Sequence, residues 1–455
     1  MRILHYTLGL PPYRTGGLTK YSVDLMVEQT VQKHEVYLLY PGHFTPRRKT
    51  VIKENECYNN VKVYELCNPL PIPLLNGIKE VNSFTKELKD PRVYTEFLEE
   101  IQPDVIHLHT LMGVHTEFLD EAQKMNIKIV FTTHDYFGIC PKVNLVNEKG
   151  QICNDYKDGE SCNICNTTAY SLPLIFLMQS HSYKKIKDSN IVKKLRVRKK
   201  NIYKNTSKKK VNNLRISQNV NYRQLRQYYI SMLKKVDFFH FNSSIAEEQF
   251  KKYLSLSGDV IPITHSHIKD FRVLKNYHGK QLNLTFLGPL DEYKGFPLLV
   301  DSLKILLKQE QSNWKLNVFG NSSLSEIGEL SDYITLNGKY SYEDLPEIFK
   351  KTDLLIIPST WMETFGFIGL EAFSYGIPVM TSNNVGFKDV IKDKLTGFIV
   401  EPEKHEMASY INTIINNREI LRNVNKNIKD IAFPHIIETH QILIERLYEK
   451  VIGAR

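Results

Sequence analysis

The chain has 455 residues, of which 42% are apolar and 24% charged. At about 150 residues per domain this length gives two to three domains, and the composition excludes collagenous, mucin-like and wholly disordered chains. The net charge of +10 is uneven: residues 184–210 hold eleven Lys, two Arg and one Asp, so 27 residues carry +12 and the remainder about −2.

Residues 2–7 read as a strand. Residues 18–31 form an amphipathic helix on Leu18, Tyr21, Leu25 and Val31, and residues 35–40 a second strand. Apolar runs at 105–108 and 127–132 suit buried parallel strands, with a helix over 116–124 between them. From 136 to 182 no period is legible, and this Cys-rich insert leads into a basic helical segment over 183–222. A helix at 223–235, a strand at 236–241 and a capping box of Ser244 with Glu247 follow.

Alternation resumes near Leu282. Strands are expected at 284–287, 316–319, 333–336, 354–358, 378–381 and 397–400, with helices at 298–307, 345–351 and 368–375, and helical patterns from 404 to the end. The organisation is therefore an α/β chain with two doubly wound parallel sheets facing a cleft. Residues 1–275 form the first domain and 276–433 the second, with a linker near 269–281. Residues 434–455 form a helix packing back toward the first domain.

No apolar run approaches the about 18 residues of a membrane span; Leu172–Met178 is short and holds Pro173. Met1 to Tyr6 lacks the apolar run and cleavage site of a signal peptide. The expectation is a cytoplasmic protein, with attachment to the inner face of the plasma membrane left open. The lysine run reads either as a solvated helix surface or as a patch for lipid headgroups, pyrophosphate or nucleic acid.

The sharpest motif runs from Glu363 to Glu371 as E-T-F-G-F-I-G-L-E. It follows a strand ending at Pro358-Ser359-Thr360, and Thr364, Phe365 and Gly366 open the next helix. A helix N-terminus after a parallel strand presents free N–H groups suited to sugar hydroxyls or pyrophosphate. Glu371 lies two turns beyond Glu363, so the two carboxylates can grip separate sets of hydroxyls.

These residues resemble the signature of retaining GT-B glycosyltransferases, most of all glycosyltransferase family 4. The resemblance extends to Gly288, Lys294 and Gly295 in F-L-G-P-L-D-E-Y-K-G, to Gly16-Gly17 after the first strand, and to Thr133-His134-Asp135. It also takes in Val385 to Asp389 and Thr396-Gly397-Phe398. It implies a GT-B fold of two Rossmann-like domains and transfer of a hexose, with retention, from a nucleoside-diphosphate sugar. The implied acceptor is a glycan or a polyprenyl-diphosphate-linked glycan, and the setting cell-envelope polysaccharide synthesis.

By the same resemblance Lys294 reaches the diphosphate, Glu371 the ribose and Glu363 the sugar, beside Thr364, Phe365, Gly366 and Phe367. Gly16 and Gly17 allow close backbone approach, Gly288 belongs to the phosphate-binding strand-loop, and His134 contacts a sugar hydroxyl near the reacting centre. His109, on the preceding strand, reads as edge-facing and pocket-lining. The family's usual Arg after the first loop glycine is Pro289 here. A catalytically inactive GT-B binding protein is therefore one alternative, and an anionic-polymer or nucleic-acid binder another. No specific nucleic acid is expected, because only Tyr183 and Tyr203 lie near the lysines.

No Asp-x-Asp motif is present, so no catalytic metal is expected. Cys140, Cys153, Cys162 and Cys165 fall within 26 residues and end in C-x2-C. Structural zinc, free thiols and disulfides are all open for them, and similar four-cysteine inserts occur in some members of the family.

Overall fold

A computed structural model describes residues 1–45, 49–186, 221–320 and 327–453. Most of the basic segment, residues 187–220, lies outside the described residues.

The first half holds β1 (Arg2–Tyr6), β2 (Glu35–Pro41), β3 (Val51–Tyr58), β4 (Val61–Cys67), β5 (Val105–Leu108), β6 (Lys128–Thr132), β7 (Phe238–Phe241) and β8 (Gly258–Val260). They form one sheet in the order β3-β4-β2-β1-β5-β6-β7-β8, parallel except for β3. The second half holds β9 (Leu282–Leu287), β10 (Trp314–Phe319), β11 (Ile334–Gly338), β12 (Leu354–Ile357), β13 (Val379–Ser382) and β14 (Phe398–Val400). Their order is β11-β10-β9-β12-β13-β14, all parallel. Two such sheets, each wrapped by helices, are the GT-B fold.

Central strands such as β12, Leu-Leu-Ile-Ile and buried at every position, pack on both faces and need no alternation. The β3–β4 hairpin has no counterpart in the sequence reading. Lys53 to Cys57 of β3 are exposed, so no apolar face marks the strand. Its turn residues Asn59 and Asn60 have φ 48° and 66°, the left-handed pair that a tight hairpin needs. Charges along this edge discourage pairing with other chains. The capping residue of helix Ser244–Lys251 is Ser243, whose side chain accepts from the Ala246 amide, rather than Ser244. Ser244 instead binds Asp389 of the second half, through its amide at 2.6 Å and its hydroxyl at 2.7 Å.

Helix Ile437–Gly453 lies against helix Gly17–Val31 of the first half. Tyr448 and Leu447 join a core that runs from the second sheet to Ile3, Tyr21, Leu25 and Val105. Lys450 pairs with Asp259 at 2.8 Å on the same side. The chain's last helix thus ties the two halves.

Candidate active site

Both sheets turn their carboxyl ends to the cleft, where ligands of open α/β sheets bind. After β9 the chain passes Gly288 at φ 139° and a short 3-10 turn, Glu292–Lys294. Gly295 follows at φ 75°, and a Cβ there would lie 1.7 Å from the Pro358 carbonyl oxygen. This close approach fixes the loop on the end of β12 and aims Lys294 across it. The Lys294 ammonium donates to Glu363 Oε1 at 2.7 Å, and the Ser359 hydroxyl donates to Glu363 Oε2 at 2.8 Å.

Helix Phe367–Ser374 starts at Gly366, whose φ of 94° turns the chain from the Glu363 loop into the helix. Glu371 on this helix is only 4% exposed. Its Oε1 meets Nε2 of the buried His265 at 3.1 Å. His265 carries no sequence signal of this role, because nothing local in T-H-S-H points at a glutamate 106 positions away. Ser359 likewise shows in the sequence only as the end of a strand.

From the first half, Gly16 has φ 113° with open space at its Cβ position. A Cβ on Gly17 would touch the Phe367 ring at 3.3 Å. The Thr364 hydroxyl donates to the His134 carbonyl oxygen at 2.9 Å, and the Ser243 hydroxyl donates to the Thr364 carbonyl. Gly16, Gly17 and His134 therefore meet Thr364, Phe365, Gly366, Phe367 and the Lys294–Glu363 pair around one cleft. Burial lowers the His134 pKa to about 3 and raises that of Asp135 to about 6. His109 departs from its reading as a pocket-lining residue. It is buried, beneath His134, with its Nδ1 at 3.1 Å from His134 Nε2.

The four cysteines of the insert, all free thiols, line one small cavity with Arg226. Burial pushes the Cys162 thiol up to about 12 and Cys165 to about 11. Among the described residues no three of these sulfurs lie mutually within 4.8 Å, so closing on one tetrahedral ion requires a local contraction. Arg226, 4% exposed, stacks on Tyr156 at 3.6 Å and gives Nη1 to the Ile139 carbonyl. Its Nε and Nη2 are buried and make no hydrogen bond among the described residues. A separate cavity of about 1120 Å³ runs along the outer part of the first sheet, lined in part by Lys49, Lys86, Leu172 and Phe176.

The fold and this cleft define a GT-B protein. Residues 15–150 match the Glycosyltransferase Family 4 model and residues 269–431 the Glycosyl transferases group 1 model, so each half of the chain carries one glycosyltransferase-family domain. An uncharacterised 42.6 kDa protein in the cps region of Klebsiella pneumoniae is 23% identical over 82% of this chain and 83% of its own. A 41.2 kDa protein of the same region is 31% identical over 27% of this chain and 34% of its own. The Staphylococcus aureus capsular polysaccharide biosynthesis glycosyltransferase CapM is 26% identical over 41% and 51% respectively. The matches to the first relatives span 34% to 42% of those proteins' lengths, well under half. Among solved structures, Anabaena HepE with UDP aligns with a TM-score of 0.59 at 13% identity, over 99% of this chain and 100% of that one. Sucrose-phosphate synthase from Thermosynechococcus elongatus aligns with a TM-score of 0.58 at 14% identity over all of both chains.

Proposed function

We propose that this protein is a retaining glycosyltransferase that moves a hexose from a nucleoside-diphosphate sugar to a glycan or polyprenyl-diphosphate-linked glycan during cell-envelope polysaccharide assembly. The observation that carries this reading is the Lys294–Glu363 pair at 2.7 Å, next in sequence to Thr364, whose hydroxyl bonds the His134 carbonyl across the cleft. Relatives from cps and capsular loci support the setting. HepE bound to UDP makes uridine diphosphate sugars the first donors to test.

On this reading Lys294 and the amides opening helix Phe367–Ser374 hold the diphosphate, and Glu371 the ribose. Glu363 and His134 hold hydroxyls of the sugar. The bond from the anomeric carbon to the phosphate oxygen breaks and the acceptor oxygen bonds to the same face of that carbon. The acceptor's proton passes to the departing phosphate oxygen. The protein's part is placement and stabilisation of the leaving group's charge.

Cys140, Cys153, Cys162 and Cys165 are the proposed ligands of a structural Zn²⁺ that staples the insert. Four thiolates on Zn²⁺ leave a net −2, which gives the buried Arg226 guanidinium beside them a counter-charge. Helix Leu172–Met178 exposes Phe176 by 38% and Leu177 by 56% just before the lysine-rich stretch. That arrangement supports peripheral contact with an anionic inner-leaflet surface. No helix among the described residues is long and apolar enough to cross a membrane.

The test is a panel of nucleoside-diphosphate sugars, read by melting temperature and nucleoside-diphosphate release, with Lys294→Ala and Glu371→Ala beside the wild type. One donor should stabilise the wild type and neither variant, and the product's anomeric coupling should match the donor's. Absence of binding to any nucleotide sugar overturns the reading and favours the inactive binding protein to which Pro289 points. An inverted product overturns retention alone.

A further inference from the structure

The face of the first sheet behind His134 is built from histidines. Parallel register sets His5 beside His107, and Thr132 beside His240, while His107 and His109 share a face two residues apart. His5, His107, His109 and His240 are each no more than 1% exposed. A sheet interior can hold this many imidazoles only if they are neutral and mutually hydrogen-bonded. Burial holds all four, and His134, well below the usual histidine range.

A neutral imidazole has one N–H and one bare nitrogen, so its tautomer is set by its neighbours. A backbone carbonyl can only accept. The Ile261 oxygen lies 2.8 Å from His240 Nε2, so that nitrogen carries the proton and His240 Nδ1 is bare. Thr132, 2.9 Å away, must give its hydroxyl hydrogen to that Nδ1. The Thr132 oxygen then accepts from His107 Nε2 at 2.6 Å, which leaves His107 Nδ1 bare. Tyr448 must donate to it at 2.6 Å. With that hydrogen spent, the Gln29 amide nitrogen donates to the Tyr448 oxygen at 3.3 Å.

The Gln29 carbonyl therefore faces His5 and accepts from its Nε2 at 2.7 Å. His5 Nδ1 accepts from His109 Nε2 at 3.0 Å, and His109 Nδ1 accepts from His134 Nε2 at 3.1 Å. The Tyr21 hydroxyl also reaches His240 Nδ1, at 3.5 Å, but lies closer to His440 Nε2, at 2.9 Å; with its hydrogen given to His440 the orientation is consistent at every link.

We propose that this run of eight hydrogen bonds, from the Ile261 carbonyl through His240, Thr132, His107, Tyr448, Gln29, His5 and His109, fixes the tautomer of His134. His134 Nδ1 is left as a bare acceptor that takes a hydroxyl and rejects a carboxylate. The consequence for the donor rests on the glycosyl-transfer reading of the cleft; the tautomer itself does not. His5, His107, His109, His240, Gln29 and Tyr448 are positioning residues that act through His134. Tyr448 is the vulnerable link, since it comes from the C-terminal helix. Without its hydroxyl Gln29 is free to rotate, and the His5–His109–His134 branch can reverse to put the proton on His134 Nδ1.

The test is long-range ¹H–¹⁵N correlation on the full chain labelled at histidine, with His134→Asn used to assign the His134 ring. Spectra are recorded before and after EDTA, because nitrogens of His5, His107 and His109 also lie within 4.8 Å of one another. The expected result is a His134 ring protonated only at Nε2, unchanged by EDTA. Tyr448→Phe should add or substitute the Nδ1-protonated form, whereas Tyr94→Phe, which removes a buried hydroxyl bound to His115 outside this run, should not.

The kinetic counterpart is a fall in kcat/KM for the donor of about tenfold in Tyr448→Phe, the worth of one neutral hydrogen bond. A wild-type His134 protonated at Nδ1 overturns the proposal. So does a Tyr448→Phe spectrum identical to wild type in protein that still melts cooperatively, or a chelator-dependent shift. If the tautomers behave as expected and no sugar donor turns over, the proposed function fails and the network stands.

Discussion

Acidification should unfold the first half of this protein steeply, and the slope counts the buried histidines. Burial lowers the pKa of His5, His115 and His240 to about 4 and that of His134 to about 3, from an ordinary 6.5. Between those values each ring is neutral when folded and charged when unfolded, so unfolding takes up a proton and stability falls as the pH falls. Asp135 works in the opposite sense. Its carboxyl is raised to about 6 from 3.8, so in that window it is protonated when folded and loses a proton on unfolding.

Four protons gained and one lost leave a net uptake of about three near pH 5. At about 1.4 kcal/mol per proton per pH unit, that is about 4 kcal/mol per pH unit. His107, His109 and His440 are lowered as well and steepen the slope. A typical stability of about 5–15 kcal/mol would then be consumed within roughly one to four pH units of the plateau. Urea melts followed by circular dichroism, at steps from about pH 7.5 to about pH 5, measure the slope directly. Net uptake of less than one proton would refute the neutral, buried state of these rings, and with it the tautomer argument.

His265→Phe removes the imidazole that meets the Glu371 carboxylate at 3.1 Å. It should cost about 1–3 kcal/mol of stability in chemical denaturation and weaken nucleotide binding while leaving the Lys294–Glu363 pair in place. Gly295→Ala drives a Cβ to within 1.7 Å of the Pro358 carbonyl oxygen and forces φ 75° on alanine. It should lower the melting temperature and abolish diphosphate binding more completely than Gly16→Ala, where the Cβ position is open. Protein purified without chelators should contain about one Zn²⁺ per chain by elemental analysis, reduced in Cys162→Ser. Metal-free wild type would sink the zinc assignment.

Features carried by contiguous residues were legible in the sequence. Buried parallel strands such as β9 and β12 need continuous apolar runs, and the Glu363–Glu371 stretch lies on a single turn and helix. What escaped was either solvated or long-range. The exposed edge strand β3 has no apolar face to betray it, and the Ser243 cap differs from Ser244 by one position that only geometry resolves. His109 sits two residues from His107 at a strand end, which is equally compatible with lining a pocket. Its place under His134 depends on strand order: β1, β5 and β7 contribute rings, and β6 the Thr132 hydroxyl, to one face only once the sheet is assembled. Tyr448 completes that face from the far end of the chain.

The pairing of the cleft's charged groups has a consequence for how a donor enters. Lys294 and Glu363 already satisfy each other at 2.7 Å, with side chains 23% and 12% exposed, and Glu371 already holds His265. On the glycosyl-transfer reading neither carboxylate waits unpaired for sugar hydroxyls, and the ammonium does not wait unpaired for phosphate. Binding is an exchange of partners, in which the diphosphate takes Lys294 and the hexose hydroxyls take Glu363. A nucleoside diphosphate without its sugar would draw Lys294 away and leave Glu363 with the Ser359 hydroxyl alone. A largely buried carboxylate stripped of its cation costs about 2–5 kcal/mol. The intact donor avoids that loss, so it should bind more tightly than its own product nucleotide. Glu363→Gln should narrow the gap between them by removing the stranded charge. Equal affinities for donor and diphosphate in the wild type, by titration calorimetry, would show that the pair does not open on binding.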